Sequence, residues 1–320
     1  MIEYIFKRLG RWIRPWGAKN PFTNVYGLSR TLLAIATACT LGFTPLHVLF
    51  TPVAGVLDVP RCNAGFLNVS AFCLVTHPHL EIVRWACVLI LAIVASGWRP
   101  RLTAIPHAWV AYSFFSSSTI FDGGDQITLV LTILLLPVAL LDNRRWHWST
   151  VESDQQARPL IWITAWSAFF MIRVQMAGVY FVSGISKLAQ AEWANGTAMY
   201  YWMLTFGSAP RWILAVVRQP AIVVALTWGA IALEVVLAIA LILPKKSWRP
   251  LLVMAIAFHV LIACFFGLSS FATAMIAGLL MYLHPIDEPF RLPAFGWREI
   301  TGHAQVVSDQ TSDVPRHAQV

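Results

Sequence analysis

Charge is what this chain lacks most. Only 12% of its 320 residues are Asp, Glu, Lys or Arg, where a soluble domain carries about a quarter. With 58% hydrophobic residues and a mean hydropathy of +0.65, the composition excludes the soluble classes and leaves a polytopic membrane protein. Phosphate-cradling signatures are missing too: there is no GxGxxG and no P-loop, so nucleotide chemistry has no motif to rest on. No Cys/His cluster has zinc spacing, and His77 and His79 around Pro78 are too few to hold a metal, so none is expected. No internal repeat and no separate soluble domain can be read.

Cysteine is scarce as well, with five in all. Cys39, Cys87 and Cys264 fall in apolar segments, where buried thiols are ordinary. Cys62 and Cys73 fall in one polar loop, and an oxidising compartment would permit a disulfide between them. Two unpaired thiols in a packed loop is the other reading.

What the chain does have is apolar length. Eight segments stand out: Val25–Phe43, Ile82–Trp98, Ala104–Phe121, Ile127–Leu141, Leu160–Ser186, Ala221–Leu243, Leu251–Phe266 and Phe271–Leu283. A bilayer needs about 20 residues per helix. The expected fold is therefore an all-α integral membrane bundle of about eight transmembrane helices over residues 25–285. The last two segments form a hairpin turning at Gly267–Ser270. A basic and aromatic interfacial segment precedes the bundle (1–24), and a polar, cytoplasmic, disordered tail follows it (286–320).

The formal net charge of +8 would suggest nucleic acid in a soluble protein, but its placement makes it a topology signal. With the N-terminus in the cytoplasm, sixteen Lys and Arg fall inside and four (Arg61, Lys187, Arg211, Arg218) fall outside. Both termini are expected in the cytoplasm of a bacterial cell, with lipid and no nucleic acid as partner. Counting Met199–Val217 as a further span would break this bias, so it is expected to lie along the outer interface.

A few polar residues fall at membrane depth, where charges mark interiors or watery cavities. Arg173, Glu234 and His259 lie at similar estimated depths, which predicts an Arg173–Glu234 pair with His259 nearby. Such a trio is either a network fixing helix register or a proton or ligand site. Arg173, Met176, Tyr180, Ser183 and Lys187 form one stripe at helical spacing. The stripe predicts an interior cavity opening outward at Lys187. Ser183 and Lys187, four apart, have the spacing of a Ser–Lys dyad, although mid-helix serines are common in membrane bundles. Asp122 and Asp125, in FDGGDQ, either add carboxylates to the cavity rim or serve the helix start, with Asp125 the expected N-cap.

The stretch QMAGVYFVSGISKLAQAEWANG, Gln175 to Gly196, resembles a helix of vitamin K-dependent γ-carboxylase and of bacterial proteins with the horizontally transferred transmembrane (HTTM) domain. Tyr180, Phe181, Gly184, Lys187, Leu188, Trp193 and Gly196 match its pattern one by one. The resemblance puts Lys187 on the lysine regarded as the base that starts vitamin K oxygenation, with Tyr180 beside it. NVYGLSRTLLAIATACTL, SGWRPR, HAWVAYSF, FDGGDQITLVLTILLLPVALLDNRRWHW and AFHVLIACFFGLSSFATAMIAGLL together resemble the SdpB family. That family serves maturation of antimicrobial peptides of the sporulation-delaying type, which implies a small SdpA-like partner and a secreted precursor peptide. A quinone or vitamin K hydroquinone is the cofactor the wider resemblance implies. The lumenal domain that gives the carboxylase its protein substrate has no counterpart here, so peptide carboxylation does not carry over.

The leading expectation is a membrane protein of peptide maturation with Lys187 as general base. Two other readings stay open: a quinone-coupled, carboxylase-like oxidoreductase on another substrate, and a non-catalytic scaffold or export partner.

Overall fold

The computed structural model describes residues 16–56, 58–62, 69–149, 158–206 and 210–290. The basic residues and aromatics from Phe6 to Arg14, and the tail beyond Phe290, lie outside the described residues, so the expectations for those segments are not addressed by it.

Each of the eight apolar segments is a helix, and among the described residues there are no strands, only two isolated bridges. We label them α1 (Asn24–Phe43), α2 (Leu80–Ser96), α3 (Pro100–Ser117), α4 (Gly123–Leu141), α5 (Pro159–Leu188) and, after three short helices, α9 (Pro220–Ala238), α10 (Trp248–Phe266) and α11 (Ser269–Leu283). The short helices are α6 (Ala191–Ala194), α7 (Ala198–Phe206) and α8 (Arg211–Val217). Among the described residues five helices are long and apolar enough to cross a membrane: α1, α4, α5, α9, and α10 with the turn that leads into it from Lys245. The expected count of eight is not reached on that measure. With 17 and 15 residues α2 and α11 are shorter, and α3 carries Arg101 and His107.

The shortest of the eight is the most central. Helix α11 packs against α1, α4, α5 and α10. Its small residues Ala272, Ala274, Ala277 and Gly278 are buried, which lets neighbouring backbones approach as membrane helices need. Gly267 ends α10 at φ 70° and starts the α10–α11 hairpin. Gly124 of α4 is tighter still, since a β-carbon there would lie 2.5 Å from the Phe271 Cα of α11.

Polar groups close the two ends of the bundle. In the loop after α4, Asp142 accepts hydrogen bonds from the Tyr26 hydroxyl (2.8 Å) and the Arg144 guanidinium (2.9 and 2.8 Å), tying the loop to α1. His147 is fully buried against Thr31. Burial, with Arg30 and Arg144 nearby, lowers its pKa to about 3 and keeps the ring neutral. At the other end Cys62 and Cys73 are joined by a disulfide, with Cα atoms 5.6 Å apart. Ser70 and Ala71 of the same loop are fixed to α3 through Ser117 (2.6 Å) and Ser113 (2.9 Å).

The α4–α11 contact yields a stability test. Gly124→Ala forces backbone apart and is expected to cost about 1–3 kcal/mol, as overpacking does. Gly229→Ala meets nothing within 4 Å and is expected to be neutral or mildly stabilising. Thermal melting in detergent checks both, and equal melting of the two variants would contradict the close approach.

Candidate functional site

Helix α5 is 30 residues long, about 45 Å, well beyond the roughly 30 Å of a hydrocarbon core. Its first half runs beside the chain's N-terminal end, where the Trp166 indole donates to the Lys19 carbonyl (2.9 Å). Arg173 lies over the Trp248 ring at the start of α10, 5.1 Å from its centre. It donates to the carbonyls of Met281 and His284 at the end of α11 (3.3 and 3.4 Å). The expected Arg173–Glu234 pair is therefore not formed, and Arg173 does not line a cavity with the rest of the stripe. Its physical partners are the open carbonyls of a helix C-terminus, which attract a cation.

Glu234 pairs instead with Lys187. The ammonium Nζ lies 2.8 and 2.7 Å from the two carboxylate oxygens. It also donates to the Ser183 hydroxyl (2.7 Å) and carbonyl (3.3 Å). The Ser183 hydroxyl in turn donates to Glu234 Oε1 (3.0 Å), closing a ring of three side chains. Trp193 of α6 lies beneath the ammonium at 5.1 Å, a cation–π contact from a ring that is itself buried. Lys187 sits in the last turn of α5, where the helix dipole adds to the attraction for a positive charge. Gly184 makes the α5–α9 approach close, since a β-carbon there would reach Val235 at 3.3 Å and Glu234 at 3.5 Å.

The level of this ring corrects a second expectation. Fourteen residues separate Glu234 from Pro220 and nine separate it from Leu243. At the helical rise that is about 21 Å to one end and about 14 Å to the other. Lys187 thus meets α9 about one turn before its C-terminal end, far from Pro220 and not at an outer rim. Helix α5 ends there, and α6–α8 carry the chain along the remaining length of α9 and α10. The Met199 amide donates to the Thr227 hydroxyl (3.3 Å), Trp193 and Ala198 pack on Ala230, Ile231 and Phe258, and Met203 packs beside Phe265. Met199–Val217 is therefore packed against two spans and does not lie apart from them.

One turn before Ser183, the Tyr180 hydroxyl shares a 3.1 Å hydrogen bond with His259 Nε2 of α10. Both side chains are buried, and the imidazole is edged by Phe258 and Phe271. The expected nearness of Glu234 and His259 thus becomes two polar groups on successive turns of α5. Asp122, not Asp125, is the N-cap of α4: its Oδ1 accepts from the amides of Gly124 (2.8 Å) and Asp125 (3.0 Å). Asp125 returns a bond to the Asp122 amide (3.0 Å), so the two form a capping box. They touch the site only through Phe271, which packs on Gly123 and Gly124 and faces the His259 ring. Gln175 is half-buried on α5, two turns below Ser183.

The Lys187–Glu234 pairing had a signal that depth estimates obscured. Glu234 is the only acidic residue between Glu192 and Asp287, and Lys187 the only basic one between Arg173 and Arg211. Two lone opposite charges in successive apolar stretches are natural partners, because a bilayer offers no other way to satisfy them.

A family model described as HTTM domain matches residues 59–286. The uncharacterized protein YitO of Bacillus subtilis (strain 168) is 40% identical over 294 residues, which cover 90% of this chain and 92% of YitO. Sporulation-delaying protein SdpB of the same organism is 34% identical over 280 residues, 84% of each chain. No solved structure matches the chain.

The ion pair generates its own test. Glu234→Ala leaves a buried ammonium without a counter-ion and is expected to destabilise by about 3–5 kcal/mol. Combining Lys187→Met with Glu234→Leu is expected to restore much of that loss. Melting of the single, double and wild-type proteins in detergent reads the outcome, and an unchanged melting point in Glu234→Ala would show that the pair carries no stability.

Proposed function

The chain belongs to the HTTM domain family, and from that premise we propose that it acts in producing a secreted antimicrobial peptide of the sporulation-delaying type, with Lys187 as its proton-handling group. The role in peptide production is supported by the identity with SdpB across most of both chains. The role of Lys187 is supported by one observation: a lone lysine between two apolar helices whose ammonium faces a carboxylate at 2.7 Å, with a hydroxyl bridging the two. A proton passed from Nζ to the carboxylate leaves a neutral amine beside a neutral acid. In that form the amine takes a proton from a substrate, and Glu234 returns one. Ser183 holds the amine in line, and Tyr180 with His259 offers a second site for a proton one turn away.

The three hydrogens of the Lys187 ammonium already go to Ser183 and Glu234. We derive no step through a quinone or vitamin K hydroquinone. The precursor peptide and an SdpA-like protein are the partners this reading calls for. The anchor reading draws on the same contacts, since a carboxylate, a helix C-terminus and an indole face all favour a fixed positive charge.

Arginine separates the two readings. In Lys187→Arg the charge and the Glu234 pairing survive, but a guanidinium does not give up its proton. We expect Lys187→Arg to accumulate in the membrane and melt near wild type, while the mass of the secreted peptide remains that of its precursor. Normal maturation by Lys187→Arg would overturn the proton-handling role and leave the anchor.

The proposed orientation has both termini in the cytoplasm of the bacterial membrane. Reporter fusions ending at Gln219 are expected to read outside and those ending at Lys246 inside. The reverse pattern would place the Trp193 side of the ring toward the cytoplasm and remove the route to a secreted substrate.

A further inference from the structure

At the end of the bundle opposite Pro220, a cavity of about 630 Å³ opens between the start of α10, the end of α11 and the first half of α5. Five cations line it (Lys19, Arg173, Lys245, Lys246 and Arg249) against two carboxylates, Asp287 and Glu288. Both carboxylates are already engaged, Asp287 by Lys19 and Glu288 by Arg249 (3.1 Å). Lys245 and Lys246 have no ion pair among the described residues and are exposed. Arg173, half-buried in the wall, donates to carbonyl oxygens, lies over the Trp248 ring and feels the Asp287 carboxylate, which it shares with Lys19. Positive charge is therefore in excess around the hollow, five cations against two carboxylates.

The location says what kind of anion belongs there. The apolar stretch that begins at Lys245 and continues through α10 is one of the five membrane-crossing candidates, so the cavity mouth lies where hydrocarbon gives way to water. Trp16, Trp166 and Trp248 line its walls, and indoles prefer the headgroup level of a bilayer. Phe170, half exposed, continues the wall along α5. A small inorganic anion has no use for aromatic walls, whereas a phosphodiester attached to glycerol and acyl chains fits both halves of the lining.

We propose that this cavity binds the headgroup of an anionic glycerophospholipid. Its phosphate sits against Lys245, Lys246 and Arg249, with Arg173 behind, and its glycerol backbone lies on the tryptophans. The assignment rests on the membrane fold alone and stands whatever Lys187 does.

The test uses the full-length protein, purified in neutral detergent and stripped of lipid. Native mass spectrometry with phosphatidylglycerol and phosphatidylcholine of the same acyl chains measures preference. Each cation near an anionic headgroup contributes about fivefold to affinity at low salt. Wild type is therefore expected to favour phosphatidylglycerol. Replacing the three exposed cations together (Lys245→Gln, Lys246→Gln, Arg249→Gln) is expected to reduce its retention on the order of a hundredfold. The control pair Arg211→Gln with Arg218→Gln, at the other end of α9, is expected to keep the preference. Equal retention of the two lipids by wild type, or an unchanged preference in the triple variant, would overturn the site. Competition by millimolar inorganic phosphate as effective as the lipid itself would overturn the lipid assignment in favour of a small-anion site.

Discussion

An ion pair enclosed between membrane helices has little water to fall back on, and the arrangement of the second half of this protein follows from that. Lys187 and Glu234 are held 2.7 Å apart. For that approach α5 and α9 must touch, which the absence of a side chain at Gly184 allows. The ammonium must also be covered, which the return of the chain through α6 and Trp193 achieves. The price of failure at any of these points is an isolated charge in hydrocarbon, about 3 kcal/mol at the least. The short helices after Leu188 therefore belong to the site as much as the spans do. They fill the length of α9 and α10 that α5 leaves bare, packing Trp193, Ala198 and Met203 against those spans.

Much of this was legible in the residues. Apolar runs bounded by Arg, Lys and Pro marked all eight long helices, because a helix is the structure that satisfies every amide in lipid. Helical spacing puts Tyr180, Ser183 and Lys187 on one polar stripe with Arg173, and the family resemblance adds Trp193. The partners were harder. Counting residues from an assumed edge put Arg173 deep in the membrane, but α5 overshoots, and Arg173 sits beside Trp248 where α10 begins. The ruler was sound and its origin was wrong. The same limit applies to Asp122 and Asp125: both suit a helix start, and only the backbone shows which oxygen meets which amide.

The two polar clusters on α5 differ in kind. The ring around Lys187 is charged and closed on itself, whereas Tyr180 and His259 form a neutral-looking contact walled by phenylalanines. Register is fixed twice on the same helix, once by charge and once by shape. The membership in the HTTM family covers both, since the matched region runs through all the helices that carry them.

Distance along the chain gives the ion pair a place in time. Forty-seven residues separate Lys187 from Glu234, and a ribosome adds about 5–20 residues each second. For several seconds after α5 emerges, its lysine has no counter-ion. Until α9 arrives, such a charge is borne by snorkelling, local thinning of the bilayer and water drawn in around it. Closure of the ring then withdraws the charge from the lipid surface. A chain that stops before α9 therefore carries a lysine whose charge no carboxylate of α9 balances.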